Sequence, residues 1–339
     1  MSLTSTEKQI LAGIPVGSEN NPDRPEFPPE DPKFPATPTY QIQVPGFSNV
    51  WLKDESYNPT GTHKDRMAWE IVVTYRNFLL AKEGGQMNRP LPHMSIISSG
   101  SAAVAIQSML RRFKLPNLKV LVDAHLDGGI ITQLENLGCD VYKTDLSKRA
   151  YTWRDILALT NNQNGFDITS GTGLDPQTRF YDWLSYEIMN TSPDYCFVPF
   201  GTGTLYENIL NRVRSEASSE ISDPRFQGDL FKACSCNYFG ATTSDPHSKA
   251  VKLYSSHLPF VQFDEQWISF YRLAGYCGPL SDVRQIQESY LEKAFSLANE
   301  QKIQCEPSGL AGLALMLQME NDLPRDAKIL IVNTGKVKR

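Results

Sequence analysis

Lys64 stands in the stretch NPTGTHKDR (residues 58–66), behind a proline, a glycine and two hydroxyl residues. An amine removed from water and set near positive potential gives up its proton readily. A neutral lysine amine can condense with a carbonyl group, the chemistry of a covalent Schiff-base catalyst. For an isolated lysine the simpler reading, a solvated residue opening an ordinary helix, wins. Two further junctions of the same composition shift that balance: SSGSAA (98–103) and FGTGTL (200–205). Glycines let a backbone approach an anion closely, and the helix start behind them supplies unpaired N–H groups and a positive dipole end. Gly201, Thr202, Gly203 and Thr204 follow a strand-like run and open a helix-like one, which suits a phosphate. The loop lacks the third glycine of a dinucleotide fingerprint, and the chain has no GxxxxGK[ST] loop, so that phosphate need not belong to a nucleotide.

The surrounding pattern predicts elements able to hold such loops. NVWLKDE reads as a strand, a helix runs from about Lys64 to Lys82, and Gly84-Gly85 closes it. HMSIIS, LKVLVD, CDVYKTD, GFDIT, DYCFVPF, FKACSCNYF and AKILIVNTG read as strands. Between them lie helical patterns such as AAVAIQSMLRRF, GGIITQLENLG, LYENILNRVRSEA, SDVRQIQESYLEKAFSLANEQ and SGLAGLALMLQME. Strands alternating with helices at this spacing predict an α/β fold built on parallel sheets. Ligands bind such sheets at the carboxyl ends of their strands, where all three loops would lie. Residues 1–45, rich in Pro, Asn and Asp, read as an extended arm.

With 33 basic and 38 acidic residues among 339, the chain carries no nucleic-acid footprint. No apolar run reaches the length of a bilayer span, and no signal peptide is recognisable, so the default is a cytoplasmic protein. Six scattered cysteines make no disulfide framework. Cys234 and Cys236 form a CxC pair that reads as core or strand thiols in preference to a metal site.

Five segments in order, from about Pro38 to Gly335, resemble the fold-type II pyridoxal-phosphate enzymes. These include threonine synthase, threonine dehydratase, cysteine synthase and the tryptophan synthase β subunit. KDESYNPTGTHKDR looks like the threonine synthase segment around the cofactor lysine, although His63 ahead of Lys64 is more like tryptophan synthase β. ISSGSAAVA is similar to the family's S-G-N loop and VPFGTGTLYENI to its phosphate loop. EPSGLAGLALM and ILIVNTG are similar to its last helix and last strand.

The resemblance implies two α/β lobes with the active site in the cleft between them. A small mobile lobe would span 86–160, and a large cofactor-binding lobe would join 46–85 to 161–339. It implies pyridoxal 5′-phosphate as cofactor, held on Lys64, which would then serve as base at the substrate α-carbon. Backbone groups of Gly201, Thr202, Gly203 and Thr204 would bind the phosphate. Thr334 would sit beside the pyridine nitrogen, where a hydroxyl goes with elimination or replacement at Cβ or Cγ. Ser98, Ser99 and Gly100 would line the substrate carboxylate site, with Ser101 where the family's asparagine touches the cofactor, and Asn58 would lie near the substrate. No metal is implied, the partner is a small amino-acid substrate, and a homodimer is the analogy from the family.

Three positions depart from the family pattern: Ser101 for asparagine, Thr204 for a common glycine, and Lys336-Val337 where a second glycine usually follows Thr334-Gly335. They keep open a non-catalytic relative that binds the cofactor without turnover.

Overall fold

A computed structural model describes residues 3–14, 34–98, 100–169, 180–254 and 266–336. The elements begin with α1 (Ser5–Gly13), β1 (Thr39–Val44), β2 (Phe47–Asp54), α2 (Lys64–Glu83), β3 (Met94–Ile97) and α3 (Ser101–Arg112). Next come β4 (Lys119–Asp123), α4 (Gly128–Leu137), β5 (Asp140–Thr144), α5 (Trp153–Leu159) and β6 (Phe166–Asp167). Then follow α6 (Asp182–Asn190), β7 (Tyr195–Pro199), α7 (Thr204–Ser218), α8 (Leu230–Ser235), β8 (Asn237–Thr242) and α9 (Gln266–Leu273). The chain finishes with β9 (Asp282–Gln285), α10 (Glu288–Glu300), α11 (Ala311–Gln318) and β10 (Ile329–Asn333). Two compact units result, the chain passing between them after residues 35, 63 and 180.

The first unit holds α1 and the elements from α2 to β6. Its four strands are parallel in the order β5-β4-β3-β6. α2 packs along α3, which explains its wide buried face: Met67, Ala68, Ile71, Val72, Tyr75 and Leu79 are all sheltered. α3 answers with Ala103, Ile106 and Leu110, spaced three and four apart so that they share one face. Each such large apolar side chain contributes roughly 1.5–3 kcal/mol on burial. That packing groups residues 64–83 with the four-stranded sheet, whereas the family resemblance implies 46–85 in the other lobe. α1 starts at a capping box between Thr4 and Glu7, and Lys82 of α2 donates to Glu7 at 2.6 Å.

The second unit holds β1, β2 and the elements from α6 to β10. Its six strands run in the order β1-β2-β10-β7-β8-β9, parallel except for the β1/β2 hairpin. Ile329, Leu330, Ile331 and Val332 on the interior strand β10 are essentially inaccessible, the continuous apolar run of a parallel strand covered on both faces. α11 packs on β7, β8 and β10, and every residue from Ala311 to Met316 is buried.

Three local expectations differ from the structure. Residues 5–13 are helical, so the arm is not extended there, while 39–44 are extended but belong to the sheet as β1, paired with β2. Residues 15–33 lie outside the described residues. In FKACSCNYF the strand begins only at Asn237, because the Asp229 carboxylate caps α8 by accepting from the Lys232 N–H at 3.2 Å. Cys234 is therefore helical and Cys236 ends the helix, so neither is a strand thiol. The helix expected from Ser281 starts at Glu288, since residues 282–285 pair with β8 as β9.

Candidate active site

In the second unit β2, β10 and β7 lie side by side and parallel, with Asn333 opposite Asp54 and Ile331 opposite Phe197. Their carboxyl ends therefore open on one edge. Asn58 lies beyond the end of β2, Thr334 directly beyond β10, and residues 201–204 beyond β7. Three of the sequence-derived groups are thus brought to neighbouring strand ends.

Asp54 ties this edge together. Its Oδ1 accepts from the Ser56 N–H at 3.1 Å and from Asn333 Nδ2 at 2.9 Å, while Oδ2 accepts from the Tyr40 hydroxyl at 2.8 Å. Burial, then that bond to Asp54, raises the Tyr40 phenol above its usual range, so it remains a donor. Asn58 is held by its amide nitrogen, which donates to Glu55 Oε2 at 2.7 Å and to the Thr62 carbonyl at 3.0 Å. Both partners are acceptors, which fixes which amide atom is nitrogen. Its Oδ1 is thereby presented as an acceptor.

Gly203 is the residue before α7 and takes φ 82°, ψ −12°, the left-handed region that costs glycine nothing. Gly203, the N-cap residue, has no side chain with which to cap α7. Thr202 and Thr204 share a hydrogen bond of 2.9 Å between their hydroxyls. Burial raises the Glu207 carboxyl pKa in the first turn of α7, and Arg214 offsets only part of that.

Thr334 is buried, and its backbone is fixed on both sides: its N–H donates to the Gly309 carbonyl at 3.2 Å and its carbonyl accepts from the His63 N–H at 2.9 Å. A Cβ on Gly309 would lie 2.5 Å from the Gly335 carbonyl oxygen, so only glycine allows this approach. Glu306, just ahead of that turn, forms an ion pair with Lys252, whose N–H donates to Ser308 Oγ at 3.2 Å. The Lys252 carbonyl lies against Gly201, 3.5 Å from where a Cβ would stand.

In the first unit Lys64 opens α2 and is half-buried. Behind it Asp65 is inaccessible, and the Arg66 guanidinium lies 5.1 Å from the Phe34 ring centroid. Ser98 follows β3, and Gly100 precedes α3, whose first residue is Ser101. Ser98 Oγ accepts from the Gly100 and Ala103 N–H groups at 3.4 and 3.3 Å, so it caps the helix that Gly100 cannot. Ser99 lies outside the described residues. Glu55 and His63 stand in these networks although neither is among the site residues expected from the sequence. Glu55 offered a faint signal in the KDE wording, and His63 offered only its place beside Lys64.

Residues 33–335 match the family described as pyridoxal-phosphate dependent enzyme. The chain belongs to that family. Threonine synthase of Synechocystis sp. (strain ATCC 27184 / PCC 6803 / Kazusa) is 23% identical over 298 residues, covering 84% of this chain and 71% of that protein. Among solved structures, O-ureido-L-serine synthase superposes with a TM-score of 0.63 at 17% identity, covering 88% of this chain and 89% of the other. A pyridoxal 5′-phosphate-dependent aspartate racemase superposes at 0.60 with 14% identity, covering 89% and 91%. These likenesses establish the fold as fold-type II.

The family's cofactor is pyridoxal 5′-phosphate. The second unit fits its anionic end, because α7 begins at a left-handed glycine that brings no side chain of its own to the helix start. Among the described residues no group of three His, Cys, Asp or Glu side chains is placed to hold a metal, and no helix is long and apolar enough to cross a membrane.

Proposed function

We propose that this pyridoxal-phosphate enzyme catalyses elimination or replacement at Cβ or Cγ of a small amino acid, in the manner of threonine synthase, threonine dehydratase or cysteine synthase. The observation that carries this reading is the residue at the end of β10: Thr334, a hydroxyl and not a carboxylate, one strand away from the glycine loop after β7. A hydroxyl facing a pyridine nitrogen does not hold it protonated, which leaves the ring a moderate electron acceptor suited to expelling a leaving group.

Bound pyridoxal phosphate supplies the electron sink for negative charge at the amino-acid α-carbon. Lys64 would hold the cofactor through Nζ and, as the base, would take the substrate α-proton on that nitrogen and return it where the reaction requires. The N–H groups of Gly201, Thr202, Gly203 and Thr204 hold the phosphate at the start of α7. Ser98, Ser99 and Gly100 receive the substrate carboxylate. Ser98 has spent acceptor capacity on α3 but still has its O–H to donate. Ser101 offers a hydroxyl to the cofactor in place of an amide. Asn58, its amide hydrogens engaged, offers Oδ1 to a substrate donor.

The cofactor-loaded protein is tested against serine, threonine, O-acetylserine and O-phosphohomoserine. Release of pyruvate, 2-oxobutyrate, acetate or inorganic phosphate with at least one of them is expected. A loaded protein that releases none of these contradicts the reading and favours a cofactor-binding relative without turnover.

A further inference from the structure

We propose that His63 is a positioning residue for Lys64, acting by a double hydrogen bond to the carbonyl oxygen of Thr334. The inference rests on the reading of Lys64 as the Schiff-base lysine. His63 donates its backbone N–H to that oxygen at 2.9 Å, and its ring Nδ1 lies 3.1 Å from the same atom. A carbonyl oxygen only accepts, so Nδ1 carries the proton, and the two lone pairs of the Thr334 oxygen serve both donors. The ring faces Tyr181 at a centroid distance of 5.3 Å and 30° between planes. Tyr181 is 1% exposed, so the imidazole packs on a buried ring.

The contact belongs to a longer zipper. Thr62 and Gly335 form an antiparallel bridge, and the Lys336 N–H donates to the Gly61 carbonyl at 3.0 Å. Residues 61–63 are thereby laced to residues 334–336 on the end of β10. The backbone bonds of this zipper are open to any residue at 63. The bond from Nδ1 is not, and it removes the remaining freedom of the residue that immediately precedes Lys64. When Nζ condenses with the cofactor aldehyde, a C=N bond forms and the carbonyl oxygen leaves as water. That equilibrium depends on the amine being presented to the aldehyde with little conformational freedom to lose.

The test compares wild type, His63→Leu and His63→Asn, the last of which returns an amide nitrogen to the place of Nδ1. Each protein is titrated with pyridoxal 5′-phosphate and reduced with borohydride, whose hydride adds to the C=N carbon and leaves a stable secondary amine. The mass gain on the Lys64 peptide measures the linked fraction. Cofactor-free melting temperatures are recorded in parallel. The expected result is half-labelling of wild type and His63→Asn at similar cofactor concentrations and of His63→Leu at about tenfold more, with melting temperatures preserved. Equal labelling of His63→Leu and wild type overturns the inference while leaving the Schiff-base reading intact. So does a His63→Leu defect that tracks a fall in melting temperature, or one that His63→Asn shares. A wild type that gains no mass at Lys64 overturns the reading on which the inference rests.

Discussion

Asn58 donates to a carboxylate that water does not reach: its Nδ2 lies 2.7 Å from Oε2 of Glu55, which has no exposed surface. Thr37 donates its hydroxyl to the other carboxylate oxygen. Replacing Glu55 by alanine removes two buried hydrogen bonds, those from Asn58 Nδ2 and from the Thr37 hydroxyl, each worth roughly 1–3 kcal/mol. Glu55→Ala is therefore expected to lose about 2–5 kcal/mol in urea unfolding, with Glu55→Gln losing less because it keeps one acceptor oxygen. A loss below about 0.5 kcal/mol for the alanine variant contradicts this account of the loop.

Gly203 separates a folding effect from a binding effect. Its φ of 82° costs a side-chain-bearing residue about 1–2 kcal/mol. Gly203→Ala should fold with a penalty of that order yet lose more than tenfold in affinity for pyridoxal 5′-phosphate, because the N–H groups before α7 are re-aimed. Equilibrium dialysis beside a melting curve reads both. Unchanged affinity with the expected drop in stability would remove the phosphate from this loop.

At the end of β10 the hydroxyl can be deleted with its shape kept. Thr334→Val preserves the backbone bonds to Gly309 and His63. It should unfold within about 1 kcal/mol of wild type and still take cofactor on Lys64, while product release slows by about tenfold or more. Full turnover in this variant would show that the hydroxyl does not tune the cofactor.

The pairing of α1 with α2 predicts a pH dependence with a definite sign. The Glu7 carboxyl pKa is lowered, first by the hydrogen bond from Lys82 and then by the Thr4 N–H. A carboxylate with a lowered folded-state pKa stabilises the fold above its unfolded pKa, and this contribution is lost as the pH falls through the folded value. Hydrogen exchange of α1 should accelerate as the pH drops below the ordinary glutamate value of about 4.3, after correction for intrinsic rates. Lys82→Met should abolish most of that dependence and cost about 1 kcal/mol at neutral pH. An α1 whose corrected protection ignores pH in both proteins would contradict the assignment.

What the sequence disclosed follows from which interactions are local. α2 was legible because its apolar face and the closing Gly84-Gly85 lie within one stretch, and β10 because ILIV is unbroken. The helix at Leu230–Ser235 was missed because FKACS is apolar enough to pass for strand, although Asp229, three residues ahead of Lys232, was a usable cap. β9 was missed because DVRQ looks helical until its pairing with β8 is known. At the candidate site the Gly, Ser and Thr loops declared themselves by composition. The bond between His63 and Thr334 joins residues 271 apart, and no local pattern announces it.

The central claim concerns one amine, and it is tested most directly by reducing the cofactor-loaded protein with borohydride and mapping the added mass by tryptic digestion, with Lys64→Ala as the control. The account predicts the phosphopyridoxyl mass on the peptide containing Lys64 and none in the control. Mass on a different lysine, or label retained in Lys64→Ala at the wild-type level, would contradict it.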